Sequence, residues 1–282
     1  MAEVKVVPAA HGWLWVLHGF ALLRAFPAFW MLLLLFYWVA LVLIGSVPFI
    51  GVVALILTVP GLAAGFMVAC DAVQKKSPPM PAHLITPFLR DRRAQIILGI
   101  IYLTAMLALM GISRLIGGEV LMHLDTPDMP KGMAMELRAG GLAALICYTP
   151  VMLAFWFAPA LCYWNKLSPA KALFFSFFAS LRNSGAFFFY GLGWLLFMLV
   201  IPMVAGVALG AVLPREPQSA ALAMMLLLPY VLICVCALML SFYSTYVGVF
   251  GAPGATPPTV PAEPATPPAP PPPPAPPAPP AI

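Results

Sequence analysis

The chain has 282 residues, of which 63% are hydrophobic and only 8% are charged. A soluble domain carries about 25% charged residues, so this composition excludes a soluble fold, which would lack the charges to cover its surface. The net charge of +5 does not indicate a nucleic-acid-binding protein, because the basic residues stand at the ends of apolar runs and form no patch with interleaved aromatic residues.

Six long apolar runs predict six transmembrane helices. Each is about as long as the roughly 20 residues that a helix needs to cross a hydrocarbon core about 30 Å thick. The predicted fold class is an all-α integral membrane protein with an N-terminal cytoplasmic segment (1–27), a six-helix transmembrane domain (28–250) and a disordered, Pro/Ala-rich cytoplasmic tail (251–282). The runs cover residues 28–46, 47–70, 94–116, 140–164, 185–213 and 219–250.

The basic residues predict the orientation, because translocated loops carry few Lys and Arg residues. With both termini in the cytoplasm, ten of them lie inside and four outside. We therefore predict an N-in, C-in protein of the bacterial inner membrane. The ten are Lys5, Arg24, Lys75, Lys76, Arg90, Arg92, Arg93, Lys166, Lys171 and Arg182; the four are Arg114, Lys131, Arg138 and Arg215.

A segment at residues 8–26 is too polar to insert and too apolar to dissolve. Its apolar residues, such as Trp13, Val16 and Leu17, recur three and four positions apart, while His11 and His18 interrupt them. This pattern predicts an amphipathic helix that lies in the membrane interface.

Similar segments precede the third and fifth spans. FASLRNSGAF at 178–187 matches FALLRAFPAF at 20–29 in six of ten positions, and Leu-Arg recurs at 89–90. Ser77-Pro78 and Ser168-Pro169 would open the two later helices, as N-cap and first helical residue. We predict three hairpins, each preceded by an amphipathic interfacial helix. Chance matches between apolar sequences are the alternative explanation of the repeat.

Two stretches carry a resemblance to a known family. HGWLWVLHGFALLRAFPAFW at 11–30 and FAPALCYWNKLSPAKALFFSFFASLRN at 157–183 resemble a proteobacterial family of small, uncharacterised multi-pass inner-membrane proteins. That family is distantly similar to the membrane domain associated with glycerophosphodiester phosphodiesterases. The resemblance covers most of residues 8–250 and implies a helical membrane fold, but it brings no catalytic residues.

The polar residues predict no catalytic, cofactor or metal site. The apolar runs contain no Asp or Glu, and Asp71 just follows the second run, which argues against a carrier that uses membrane carboxylates. Cys234 and Cys236 point to different sides of one helix. The other cysteines and the histidines add no pair with a ligand spacing: Cys70, Cys147, Cys162, His11, His18, His83 and His123.

Four arginines are weak candidates for contacts with lipid headgroups or an anion. Arg24, Arg90 and Arg182 each precede a span, and Arg114 lies near the outer end of the third. For Arg114 the alternative is a side chain that snorkels to outer-leaflet phosphates.

The leading functional hypothesis is a non-catalytic membrane protein, not an enzyme, that organises lipids or partner proteins. The alternative is a transporter or permease for a small solute or lipid, since prolines inside spans can break helices at a binding site; a membrane-embedded enzyme ranks third. We expect anionic headgroups as partners and no nucleic acid; a homo-oligomer and a membrane or cytoplasmic protein that binds the tail are two further hypotheses. The tail should be extended polyproline II and inert, with a tether that a cytoplasmic partner binds as the alternative. The intra-span prolines are Pro60, Pro150, Pro159, Pro202 and Pro229.

Overall fold

The computed structural model describes residues 4–117, 131–212 and 217–254, and within these ranges all regular structure is helical. Six segments are long and apolar enough to cross a membrane, which confirms the predicted fold class. The helices are α1 (His11–Ala25), α2 (Pro27–Gly45), α3 (Gly51–Gln74), α4 (Pro81–Arg90), α5 (Arg92–Gly117), α6 (Lys131–Asn165), α7 (Pro169–Arg182), α8 (Ser184–Leu195), a π-helical turn (Leu196–Val200), α9 (Ile201–Val212) and α10 (Pro217–Phe250).

The second span is shifted along the chain relative to its apolar run. Pro48 and the left-handed residue Phe49 (φ 66°) lie in the turn before it, so α3 begins only at Gly51 and ends at Gln74. Asp71 therefore lies in the last turn of the helix rather than beyond it. The helix tolerates this carboxylate because Lys75 Nζ lies 2.7 Å from its Oδ2.

The start of α4 also differs from the prediction. The helix begins at Pro81 with Met80 as its N-cap, not at Ser77-Pro78. A residue before a proline avoids the helical conformation, and the prolines at 78, 79 and 81 therefore delay the helix to the last of them. For α7 the predicted positions are confirmed, with Ser168 as N-cap and Pro169 first in the helix, but the Ser168 side chain makes no capping hydrogen bond.

The helices follow the predicted order of three units, each a short helix and two spans. One non-helical residue separates each short helix from its span: Phe26 (φ −144°), Asp91 (φ −144°) and Asn183 (φ −106°). In the first unit the break comes one residue later relative to the Leu-Arg pair, because Phe26 precedes Pro27. This recurrence of order and backbone supports the repeat.

The three units pack in a cycle. The short helix α4 lies against the spans α2 and α3 of the unit before it, and α7 lies in the same way against α5 and α6. The first short helix, α1, lies against α8 and α10 of the third unit. The last unit is thereby joined to the first, and each short helix has the same type of neighbours.

The N-terminal segment strengthens this closure. The Lys5 N–H donates to the Val249 carbonyl at 2.9 Å. The buried Asn183 side chain accepts from the Val7 N–H at 2.9 Å and donates to the Lys5 carbonyl at 3.0 Å. Residues at the start of the chain thus hold the end of α10 and the end of α7 together.

The helix α1 packs more closely than an interfacial helix needs to. A Cβ on Gly12 would overlap the Ala186 carbonyl, and one on Gly19 would overlap the Ala237 carbonyl, so both glycines permit close backbone approach. Trp15 is buried, whereas Trp13 and Leu17 are exposed. The helix α1 therefore contacts two spans through one face, in addition to the exposed apolar residues on another.

Candidate functional site

The second spans of the three units end close together, beside the short helices. The Tyr243 hydroxyl on α10 donates to Asp71 Oδ1 on α3 at 3.4 Å, and the Tyr246 hydroxyl donates to Asn165 Oδ1 on α6 at 2.8 Å. We call this region, where α3, α6 and α10 end, the short-helix end of the bundle.

Three of the four predicted arginines lie at this end. Arg24, Arg90 and Arg182 each occupy the last turn of a short helix, and each is exposed. A cation there also interacts favourably with the helix dipole. Within the described ranges these guanidinium groups form no ion pair; the ion pairs found there involve lysines instead. We call these three residues the helix-end arginines.

Arg114 lies elsewhere. It is exposed in the last turn of α5, and the rise of 1.5 Å per residue places it about 30 Å from the start of that helix. It therefore shares no site with the helix-end arginines. Its exposure agrees with the snorkelling alternative.

Two carboxylates that the structure describes at the short-helix end, Asp71 and Asp91, form ion pairs with lysines. Lys166 Nζ lies 3.2 Å from Asp91 Oδ2 and 5.4 Å from the centre of the Tyr163 ring. Asp91 and Asn183 each follow a Leu-Arg pair directly. Asp91 contacts Lys166, which precedes α7, and Asn183 contacts Lys5, which precedes α1. These contacts leave the helix-end arginines available to an external anion.

A groove of about 750 Å³ opens at the same end between α1, α3 and α10. One stripe of α1 lines it, with residues three and four positions apart. The groove also holds Asp71 and Lys75 from α3 and Tyr243 from α10. We call it the α1 groove; its stripe is His11, Leu14, His18, Ala21 and Ala25.

Sequence reasoning missed this groove. It had placed His11 and His18 on an interfacial helix and Asp71 beyond a span, without bringing them together. The spacing of the stripe was visible in the sequence. Its partners on α3 and α10, however, follow only from the packing of α1 against the third unit.

The cysteines show no sign of a shared site. Cys70, Cys162, Cys234 and Cys236 are buried thiols, and Cys147 is half-buried. In the described part of the chain, no three His, Cys, Asp or Glu residues lie close enough together to hold a metal ion. Packed thiols of this kind act as small hydrophobic residues.

Side chains form hydrogen bonds to backbone groups near the prolines of two spans. Ser176 on α7 accepts from the Phe157 N–H at 2.9 Å and donates to the Leu153 carbonyl at 2.8 Å, and so inserts into the hydrogen-bond ladder of α6. A π-helical turn stands immediately before Pro202, and there the Tyr230 hydroxyl donates to the Phe197 carbonyl at 2.7 Å. Such insertions bend helices, and here they use the polar groups within the protein.

Several predicted features fall outside the described residues. These are His123, Arg215 and the tail from residue 255. Lys131, Glu136 and Arg138 lie in the first turns of α6, where only the backbone is described.

These elements define a class: a polytopic helical membrane protein in which three short helices surround the span ends. The chain is 34% identical over 260 residues to a protein of Burkholderia thailandensis described as a "probable inner membrane protein", an alignment that covers 87% of this chain and 93% of the relative. The chain belongs to this family of inner-membrane proteins, and the resemblance noted in the sequence is confirmed to that extent. No protein-family model and no solved structure matches it.

Proposed function

We propose that the protein is a non-catalytic inner-membrane protein that binds and organises anionic phospholipids at its short-helix end. The observation that carries this proposal is the threefold placement of the helix-end arginines. Arg24, Arg90 and Arg182 end three equivalent helices on one side of the bundle, exposed and without an ion pair among the described residues. Basic side chains near a membrane surface each attract anionic lipid by about 1 kcal/mol.

The proposal includes the orientation. The excess of Lys and Arg in the segments that join the units favours a cytoplasmic short-helix end, with both termini inside. In the bacterial inner membrane this surface would meet the inner leaflet. The distant resemblance to the membrane domain beside some glycerophosphodiester phosphodiesterases stays a prediction, and it agrees with a role at phospholipid headgroups.

The test compares lipid retention by two charge variants. We expect Arg24→Gln, Arg90→Gln and Arg182→Gln in one chain to reduce the number of phosphatidylglycerol molecules that stay bound in native mass spectrometry. Arg114→Gln, at the other end of α5, should lower the number much less, because at most one contact to an outer-leaflet phosphate is lost. Equal retention by both variants and the unmodified chain would refute the proposal. Phosphatidylethanolamine serves as the zwitterionic control lipid.

A transporter is the second candidate, favoured by the π-helical turn and the prolines within spans, because π turns are frequent at functional sites. It requires backbone groups that face a water-filled space near mid-depth. The hydrogen bonds from Ser176 to α6 and from Tyr230 to the π-helical turn instead support a packing role at these two places. Cysteine labelling beside Pro60 and Pro202 with a membrane-impermeant reagent separates the candidates: rapid labelling supports a transporter, and protection supports the lipid-organising role.

A further inference from the structure

The chain turns at the end of α10. Gly251 (φ +85°) donates from its N–H to the Val247 carbonyl at 2.9 Å, and Gly254 (φ +78°) has a second left-handed conformation. Both values suit glycine, which alone adopts them without strain. Between them, Ala252 and Pro253 line the α1 groove. The chain therefore lies at the wall of the groove immediately before residue 255.

The groove has space because α1 presents small residues there. Ala21 and Ala25 leave room beside α3 and α10, and Leu14 adds an apolar contact surface that is 42% exposed. The 15 residues of α1 span about 22 Å at 1.5 Å per residue. An extended polyproline segment covers that length with about seven residues at 3.1 Å each, and the 28 residues from 255 to 282 exceed this.

The chemistry of the groove suits an uncharged, proline-rich segment. Prolines offer carbonyl acceptors and no N–H, and such segments bind apolar grooves that provide a few donors. His11, His18 and Lys75 provide donors beside the apolar surface. The first eight residues of the tail carry no charge, and Glu263 follows them. A phospholipid phosphate in the same place would lie near the Asp71 carboxylate and be repelled by it. An uncharged segment meets no such repulsion.

We propose that the α1 groove is the intramolecular docking site of the chain's own Pro/Ala-rich tail, residues 255–282. The docked tail covers the His11–Ala25 stripe and occupies the surface next to Arg24. Because the tail is tethered beside the groove, its effective concentration is on the order of millimolar. A weak intrinsic affinity is then sufficient for occupancy.

Photocrosslinking in the full chain tests this. A benzophenone amino acid replaces Leu14, which lines the groove, or Leu17, which is 41% exposed but does not line the groove and serves as the matched control. In nanodiscs of phosphatidylethanolamine and phosphatidylglycerol, tandem mass spectrometry should find residues 255–282 crosslinked to position 14 and not to position 17. Mixing isotope-labelled with unlabelled chains distinguishes the chain's own tail from that of a second copy.

Two further measurements sharpen the result. Free peptide 255–282 at about 10 mM should lower the crosslink from position 14 roughly tenfold, because it then exceeds the tethered concentration by that factor. Replacing Pro257, Pro258 and Pro261 by Ser should lower it as well. The proposal is overturned if position 14 crosslinks to lipid, to a second copy or to another protein in place of the tail, or if positions 14 and 17 crosslink the tail equally.

Discussion

The short-helix end and the opposite end of the bundle share one apolar composition but pack differently. Around the short helices, large side chains such as Trp30, Phe157 and Leu240 are fully buried. Toward the other end, α9 has no buried residue among those described, and Met224 and Met225 near the start of α10 are exposed. Tight protein packing is therefore concentrated where the short helices fill the spaces between spans.

The glycines explain much of this contrast. Lipid tails are as apolar as leucine, so helices in a bilayer associate through close packing and hydrogen bonds. Gly65 and Gly99 allow Leu84 and Leu57 of neighbouring helices to approach closely. Gly206 in α9 has no atom of a neighbouring helix near its Cβ position in the described chain. Gly65 thus serves a contact with the short helix α4, whereas Gly206 serves no contact within the described chain.

The largest effect is expected from removing a core tryptophan at the short-helix end. Trp30 is 0% exposed, and its indole N–H donates to the Leu22 carbonyl at 2.9 Å. That carbonyl lies in the last turn of α1, where helices lack internal partners. Trp30→Ala should destabilise the protein by about 3–5 kcal/mol, because it leaves a cavity. Thermal unfolding in detergent, followed by gel filtration, measures the loss.

Trp38→Ala is the matched control, eight residues further along α2. Trp38 is 48% exposed on the part of the helix that would face lipid, so its removal should shift the midpoint much less. Equal shifts for both variants would contradict the view that packing is concentrated at one end.

A smaller effect is expected from filling a close helix contact. Gly12→Ala places a Cβ against the Ala186 carbonyl, and overpacking of this kind costs about 1–3 kcal/mol. Gly206→Ala should be neutral or stabilising by up to about 1 kcal/mol, because alanine favours helix more than glycine does. Gly12→Ala should therefore lower the midpoint, whereas Gly206→Ala should leave it unchanged or raise it; a loss of stability in Gly206→Ala would reveal a protein contact at that end.

The spans could be predicted from the sequence because each apolar run has the length of a membrane crossing. Their ends could not, since Asp71 and Asn165 extend helices beyond the apolar runs through side-chain partners on α10. The register of α1 was also beyond sequence reasoning. Its buried face is set by α8 and α10, and α8 begins at Ser184, far along the chain from Ala25, where α1 ends.

The candidate site was predictable only in part. The Leu-Arg repeat placed Arg24, Arg90 and Arg182 correctly before their spans, because a local pattern repeats with the units. The α1 groove depends on contacts between the first and third units, which no local pattern records. Similarly, Ser168-Pro169 predicted the start of α7 because it is a single Ser-Pro pair. Three prolines lie at or just before the start of α4, and the sequence does not indicate which of them begins the helix.

Removing the hydrogen bond at the π-helical turn should lower the free energy of unfolding by about 1 kcal/mol. Tyr230→Phe removes the donor to the Phe197 carbonyl, and a lost hydrogen bond of this type costs about 0.5–1.5 kcal/mol. Hydrogen exchange should rise locally around Leu196–Val200. Tyr190→Phe, which breaks the 2.6 Å bond to Ser241 at the short-helix end, should instead raise exchange in both α8 and α10. Identical exchange patterns would remove the distinction between the two ends.

The smallest effect is expected at the start of α4, as a function of pH. His83 Nδ1 accepts a hydrogen bond from the Met80 N–H at 3.0 Å, and partial burial lowers the pKa of His83 below its usual value. The folded chain thus favours the neutral imidazole. The stability that neutral His83 contributes is therefore complete above the unfolded pKa of about 6.5, and it is lost as the pH falls through the lower folded pKa. Hydrogen exchange in the first turn of α4 should rise over that window, after correction for the intrinsic pH dependence of exchange. His83→Gln keeps an acceptor that does not titrate, and its corrected profile should be flat; an unchanged slope in that variant would assign the pH effect to another group.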